Sequence, residues 1–275
     1  MLDVTFPVAA FARARMSERL PTIDTDQGHI LPTSEKKKQS PDLLSKFLAA
    51  KEAHPEFMND TLVQTMAVSM AFAGSETTAI SLSSVFYFLL RTPDALAKLR
   101  KELDEAGCKG LFSDYETGLV TWQESQKLEY LDACVKEGFR MHPAPGLPME
   151  RIVPKQGAEI DGHFIKGGTI VGCNAWVIHR NREIFGEDVD VYRPDRWLVD
   201  EKVAATSPAA REAEEQRIKQ MNGVMCHFGA GSRTCIGKNI SLLEIYKVVP
   251  SLLRRFEVRL YYVVRERLRG VLTVR

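Results

Sequence analysis

Phe228-Gly229-Ala230-Gly231-Ser232-Arg233-Thr234-Cys235-Ile236-Gly237 is the stretch from which the rest of this chain is best read. It sets one cysteine in a glycine-punctuated turn, two residues after an arginine. An apolar helical run, Ile236 to Val249, starts directly behind it. Glycine lets a backbone bend sharply and approach a bulky ligand closely. A thiol at a helix N-terminus, beside a cation, is favoured as thiolate. The stretch therefore predicts one thiolate presented to something large and flat, with Arg233 ready for an anionic group. The alternative is a buried structural cysteine in a Gly-rich loop.

The composition narrows the setting. The chain has 275 residues, with 37 basic and 36 acidic side chains and a net charge of +1. That length suits one large domain or two small ones. The balanced charge gives no electrostatic case for nucleic acid. The five cysteines, Cys108, Cys134, Cys173, Cys226 and Cys235, are odd in number and include no Cys-x-x-Cys pair. A disulfide scaffold is not expected, and a reducing, cytosol-facing compartment fits. Met1-Leu2-Asp3-Val4 lacks the basic n-region and apolar core of a signal peptide.

Outward from the cysteine, periodicity and turn residues divide the chain. Phe6 to Arg19 could hold a short helix, and Pro21 to Ser40 reads as a polar linker with a solvated lysine run. Pro41-Asp42 opens a helix to about Ala53. Asn59-Asp60 caps a helix from Thr61 to Leu90 whose one charge is Glu76. At about 1.5 Å per residue it is roughly 45 Å long. Apolar nearly all round, it belongs in a protein core or a membrane. Glu76, Gln64 and the serines and threonines favour the core, since a mid-membrane glutamate is costly unless paired. Further helices are predicted from Thr92 to Gly107 and from Trp122 to Met141. Pro143, Pro145 and Pro148 keep the next stretch extended. Asp161-Gly162 signals a hairpin, and Thr169 to Val171 a strand. Ala204 to Gln220 is expected as a helical surface insertion without chemistry. Phe256 to Leu260 and Val271 to Val274 are expected as short strands. The sum is mainly α with small β-sheets, an α+β chain.

Three other groupings carry chemistry. Ala73-Gly74-Ser75-Glu76-Thr77-Thr78 puts an acid, an alcohol and a weakened backbone in one helical turn. Gly74 costs the helix about 1 kcal/mol against alanine, and Thr77 can bond back to the Ala73 carbonyl. The turn could hold water and deliver protons, or it could be a small-residue packing spot with Glu76 in an ion pair. Glu137 and Arg140 stand at i and i+3, which on a surface is worth a few tenths of a kcal/mol. Arg151 follows the Pro-rich stretch, and an arginine fork suits a carboxylate. His142 reads as a packing and hydrogen-bonding residue, and Cys226 as inert.

The Cys235 stretch resembles the cysteine-ligand loop of the cytochrome P-450 (haem-thiolate) family, Phe-x-x-Gly-x-Arg-x-Cys-x-Gly. It matches at all five fixed positions: Phe228, Gly231, Arg233, Cys235 and Gly237. Ala73 to Thr78 is similar to that family's oxygen-activation motif. Glu137-Gly138-Phe139-Arg140 resembles its Glu-x-x-Arg motif, and Pro194-Asp195-Arg196-Trp197 its Pro-x-Arg-Phe/Trp segment. The four occur in the family's order from about residue 40 to the C-terminus.

The resemblance implies the C-terminal part of the cytochrome P-450 fold, with the N-terminal part and its membrane anchor missing. Residues 1–40 would be a partial N-terminal helix and linker, and 41–275 the catalytic core. It implies haem b with Cys235 as axial iron ligand. Arg233 and Arg151 would meet the propionates, and Phe228, Gly231, Gly237 and Gly74 would border the cofactor. Thr77 would hydrogen-bond dioxygen and Glu76 would serve a proton relay. Glu137, Arg140 and Arg196 would form a structural charge cluster, tolerated in a core only when fully paired. The implied reaction is monooxygenation of a lipophilic small molecule, with electrons from NADPH through a reductase that docks on the cysteine side near Lys238. The sequence style resembles pisatin-demethylase-like fungal members of secondary metabolism. Such proteins usually sit on the cytosolic face of the endoplasmic reticulum, and without the anchor this chain would be cytoplasmic. Two other outcomes are a truncated, non-catalytic haem-binding fragment and a haem-thiolate isomerase or dehydratase that needs no dioxygen. Glu76 and Thr77 count against the second. A haem-free helical interaction protein is a further alternative.

Overall fold

The computed structural model describes residues 10, 11, 14, 42–263 and 267–274, with side chains up to residue 260. The short helix expected at Phe6 to Arg19, apart from those three helical positions, and the linker after it lie outside the described residues. The chain forms two compact units, Met1–Glu76 and Thr77–Arg275.

In the first unit, α1 (Leu43–Ala53) starts at Asp42, whose carboxylate accepts the Ser45 N–H at 2.8 Å. Asn59 does the same for α2 (Asp60–Arg91), accepting the Leu62 N–H at 2.9 Å. These caps satisfy N–H groups that a helix start leaves without partners. Leu44, Phe47 and Leu48 pack against Met58 and Val63, a small core of their own.

The unit boundary falls within α2, and burial changes along that helix. In the second unit Val85 and Leu89 are fully buried. Earlier on the helix, Met70 is 38% and Phe72 is 56% exposed. The expectation of a helix buried along its length is therefore corrected: Val63 near its start and Thr78, Ser81, Ser84, Val85 and Leu89 toward its end are buried, while Phe72 to Thr77 are exposed. Hydropathy says that a face could be buried, but not which segment covers it. Among the described residues no helix is long and apolar enough to cross a membrane.

The second unit packs α3 (Pro93–Cys108), α4 (Trp122–Ser125), α5 (Glu129–Met141) and α10 (Lys238–Arg255) around one apolar cluster. Helix α3 buries Ala95, Leu99 and Leu103, four residues apart, and keeps its charges outside. The single helix expected over Trp122 to Met141 is two. Thr121 and Glu124 close a capping box on α4, and Glu124 also accepts the Ser113 N–H at 2.6 Å. Helix α5 restarts under a cap lent by α3: Glu102 accepts the Tyr130 and Leu131 N–H groups at 2.7 and 2.9 Å. No local pattern announces a cap that arrives from 28 residues away.

Strand β1 (Met149–Ile152) pairs antiparallel with β4 (Ile170–Cys173), placing Arg151 opposite Val171. Strands β2 (Ala158–Ile160) and β3 (His163–Ile165) turn at Asp161-Gly162, with φ of 52° and 73°. Both lie in the left-handed region that a two-residue hairpin requires. Short helices α6 (Ala175–Ile178) and α7 (Arg182–Phe185) precede a 3-10 turn at Pro194–Trp197. Helices α8 (Glu201–Ala204) and α9 (Pro208–Val224) follow, and β5 (Phe256–Val263) and β6 (Arg267–Val274) close the chain as a hairpin. Helix α9 is not the peripheral insertion that its charge suggests. Met221 is buried with Trp197 and Ala133, and Arg217 donates to the Arg196 and Leu198 carbonyls at 2.6 and 3.1 Å.

Helices α2 and α5 meet at Gly138. A Cβ there would lie 2.7 Å from Val85 Cγ2 and 3.4 Å from its Cα, while Ser84 donates to the Gly138 carbonyl at 3.2 Å. Valine is stiff at χ1 and cannot swing aside cheaply. Gly138→Ala is therefore expected to destabilise by about 1–3 kcal/mol through overpacking. A Cβ at Gly74 meets nothing within 4 Å. Gly74→Ala should stabilise by about 0.5–1 kcal/mol through helix propensity alone. Urea titrations of the two variants check the opposite signs.

Candidate functional site

Glu137 and Arg140 are not a surface pair. Both are fully buried, with Arg196 beside them. Arg140 grips Glu137 with Nε and Nη2, each at 2.8 Å. Arg196 Nε reaches the same carboxylate at 2.9 Å, as does the Trp197 indole N–H. The Arg193 backbone N–H adds a bond at 3.0 Å. The guanidinium groups spend their other donors on carbonyls: Arg140 on His179 and Val189, Arg196 on Phe185, Asp188 and Val191. The sequence reading missed Asp188, which pairs with Arg196 at 3.1 Å and with Arg193 at 2.8 Å. Burial alone would raise its pKa, but Arg196 and then Arg193 hold it below the ordinary aspartate range. Glu137 in the core and Asp188 at its half-buried edge thus face three arginines, Arg140, Arg196 and Arg193.

The cysteine loop stands on this cluster. Gly229 and Gly231 take φ of 75° and 66°, positions where a side chain would strain the turn. Gly229 was not among the residues the sequence singled out, although its neighbour Phe228 was. The Gly229 N–H donates to the Cys226 carbonyl at 2.8 Å, and the Cys235 N–H to the Phe228 carbonyl at 2.8 Å. Phe228 faces the protein interior, edge-on to Phe139 with centroids 5.5 Å apart, and Lys238 stands over its ring at 5.8 Å. Cys235 ends up exposed, next to Ile236, which is 88% exposed. A Cβ on Gly237 would sit 3.9 Å from Cys235 Sγ. Cys226, by contrast, is buried, and burial pushes its thiol pKa up, which suits an inert residue.

Arg151 donates to its neighbour's carbonyl at 2.7 Å and reaches Ala230 in the cysteine loop at 3.5 Å. The structure thus brings Arg151 to the loop that carries Arg233. Among the described residues neither arginine makes an ion pair. On the opposite element, Thr78 is buried and donates to Ser241 on α10 at 3.2 Å. That bond ties the residue after Thr77 to the helix that follows Cys235. Glu76 and Gly74 lie in the first unit, and Glu76 is exposed and makes no ion pair among the described residues. His142 packs edge-on to Trp176 at 4.9 Å, while its Nδ1 has no hydrogen-bond partner among the described residues.

The arrangement suits a flat amphipathic anion. An exposed thiol stands beside an apolar side chain, with Leu147 81% exposed in the preceding loop. Two guanidinium groups without carboxylates are available for acidic substituents. The donor set, one soft sulfur ligand in a glycine turn, matches thiolate-ligated haem.

The sequence profile of the family "Cytochrome P450" matches residues 8–268. The chain belongs to the cytochrome P450 family. It is 44% identical to a cytochrome P450 monooxygenase of Aspergillus terreus over 92% of this chain and 46% of that protein. It is similarly 44% identical to a cytochrome P450 monooxygenase of Emericella nidulans over 92% of the chain and 46% of that protein. Pisatin demethylase of Fusarium vanettenii is 40% identical over 68% of this chain and 32% of its own length. The chain spans about half the length of the first two relatives. Membership of the P450 family implies haem held by a cysteine thiolate.

The buried His179 and the half-buried His227 are expected to make this core acid-sensitive. His179 is fully buried, and burial, with Arg140 and Arg180 nearby, lowers its pKa to about 4 from 6.5. His227, stacked on Phe139 at 4.3 Å, is lowered to about 3 by burial, with His179 and Lys238 adding to the effect. Both are neutral when folded and take up protons near the ordinary value when unfolded. Their contribution is therefore complete above about pH 6.5 and is lost as the pH falls through the folded pKa values. Urea midpoints should fall steadily from pH 6.5 to pH 4, each histidine contributing on the order of 3 kcal/mol over the full window. Glu137→Gln should cost about 3–5 kcal/mol at neutral pH, because it leaves two buried arginines short of a counter-charge.

Proposed function

We propose that this chain carries the cysteine-ligand and oxygen-activating parts of a haem-dependent monooxygenase acting on a lipophilic small organic molecule. The observation that supports it best is the exposed Cys235, fixed by its own N–H on the Phe228 carbonyl and flanked by the loop arginine Arg233 and by Arg151. Cys235 would hold the haem iron through its thiolate, and Arg151 and Arg233 would bind the cofactor's carboxylates. Haem bound through a thiolate supplies dioxygen cleavage, because sulfur donation favours breaking the O–O bond. With two electrons and two protons, that chemistry would put one oxygen atom into the substrate and release the other as water.

The chain's own residues hold and move the protons. Thr77 presents a hydroxyl on the oxygen side, and Thr78 anchors that turn to α10. Glu76, exposed and one residue earlier on the helix, exchanges protons with water. Exposed apolar side chains at Leu147 and Ile236 favour an apolar substrate. Electrons come from NADPH through a reductase docking on the cysteine side, where Lys238 contributes charge. The same two exposed side chains favour a second reading, haem capture without turnover by this length of chain.

The purified chain mixed with haem, reduced and exposed to carbon monoxide should give a red-shifted, thiolate-type Soret band. Cys235→Ala should abolish that band. Absence of haem uptake by the unaltered chain would overturn the proposal. NADPH-dependent substrate oxidation with a reductase separates turnover from capture.

A further inference from the structure

His179 lies outside every motif so far discussed, yet it joins the charge cluster to the cysteine loop. It follows α6 as the C-cap residue and has no exposed surface. Its carbonyl accepts from Arg140 Nη1 at 3.0 Å. Its ring Nε2 accepts the backbone N–H of Cys226 at 3.0 Å. Cys226 opens the loop: its own carbonyl holds the Gly229 N–H, and the Phe228 carbonyl holds the Cys235 N–H. One run of hydrogen bonds therefore leads from the buried Glu137 carboxylate through Arg140 and His179 to the first residue of the turn that carries Cys235.

We propose that His179 is a positioning residue for Cys235, acting as a buried acceptor that seats the cysteine loop on the charge cluster. The inference rests on Cys235 being the haem ligand, as proposed above. The geometry demands a neutral ring, because an Nε2 that accepts a hydrogen bond carries no proton. The surroundings enforce that state. Arg140 on α5 and Arg180 next to it face the ring with positive charge, the His227 ring lies 6.1 Å away, and Cys226 Sγ is 3.7 Å from Nε2. A charged imidazole there would turn the acceptor into a donor aimed at another donor. The role is thus neither acid–base nor metal-binding.

Three variants test the role. His179→Phe keeps a ring but leaves the Cys226 N–H buried without an acceptor. His179→Gln places a carboxamide oxygen where Nε2 stands. His179→Asn stops one bond short and serves if the Phe variant does not fold. Hydrogen exchange of residues 226–235 in the haem-free chain should speed up about tenfold in the Phe or Asn variant, one lost hydrogen bond's worth, and stay near wild type in the Gln variant. Exchange in α5 reports whether the core has stayed folded. After haem addition, the Phe or Asn variant should lose most of the thiolate-type carbon monoxide band while retaining haem, and Gln should restore it. Unchanged exchange and an unchanged band in the Phe or Asn variant would overturn the inference, as would a Gln variant that behaves like them. Absence of the thiolate-type band in the unaltered chain would instead overturn the haem-ligand reading. The exchange arm would still decide whether His179 seats the loop.

Discussion

The second unit depends on one carboxylate that water does not reach. Glu137 takes two bonds from Arg140, one each from Arg196 and the Trp197 indole, and one from the Arg193 backbone. An isolated ion at that depth would cost many kcal/mol, so the site persists only because every donor and acceptor is used. That requirement is geometric. The guanidinium forks fix where the carbonyls of residues 179, 185, 188, 189 and 191 must lie, which shapes an irregular stretch with little secondary structure. A segment that would otherwise be floppy becomes a rigid floor. The net stabilisation of such a cluster over an apolar core is small, and its contribution is to specify one arrangement of the loop above it.

The local chemistry of this arrangement was legible in the sequence where spacing alone carries it. Asp161-Gly162 dictates its hairpin because both positions need left-handed backbone. The five fixed residues around Cys235 dictate a glycine turn with an outward thiol. Glu137, Arg140 and Arg196 could be paired and placed in a core only through a resemblance, since an i, i+3 pair looks the same on a surface. Glu102 capping α5, Asp188 joining the charge cluster and Gly138 admitting Val85 all join residues far apart in the chain. Nothing in a single sequence marks them. Helix α9 misleads for a related reason: its charged composition hides Met221 and Arg217, whose contacts are made with the Pro194–Trp197 turn. Hydropathy misjudged α2 in the opposite direction, because a face able to be buried is not thereby covered.

These two kinds of information divide the site. The cysteine side is built from contacts within one unit: the core cluster, the loop glycines, the Cys235–Phe228 bond and Arg151 reaching Ala230. The Ala73–Thr78 turn of α2 contains the unit boundary: Glu76 belongs to the first unit, Thr77 and Thr78 to the second. Thr78 is the anchor here. Its hydrogen bond to Ser241 sets the rotation of α2 about its axis relative to α10. With 100° between successive residues, fixing Thr78 toward α10 turns Thr77 by a defined angle away from it.

Ile236 and Leu147 of the second unit are exposed. Polar groups in this site are either neutralised within the core or left as unpaired guanidinium groups at its edge. Ile236 and Leu147 leave apolar side chains in water, and covering them would be favourable. Under the proposed function, a rigid, flat ligand with acidic edges would meet both demands at once, its plane covering apolar side chains and its acids meeting Arg151 and Arg233. The entropy cost of binding is kept low because the loop is already held at both ends, by Cys226 on His179 and by Cys235 on Phe228. Under the proposed function, this preorganisation of the loop would add to what the thiol alone supplies.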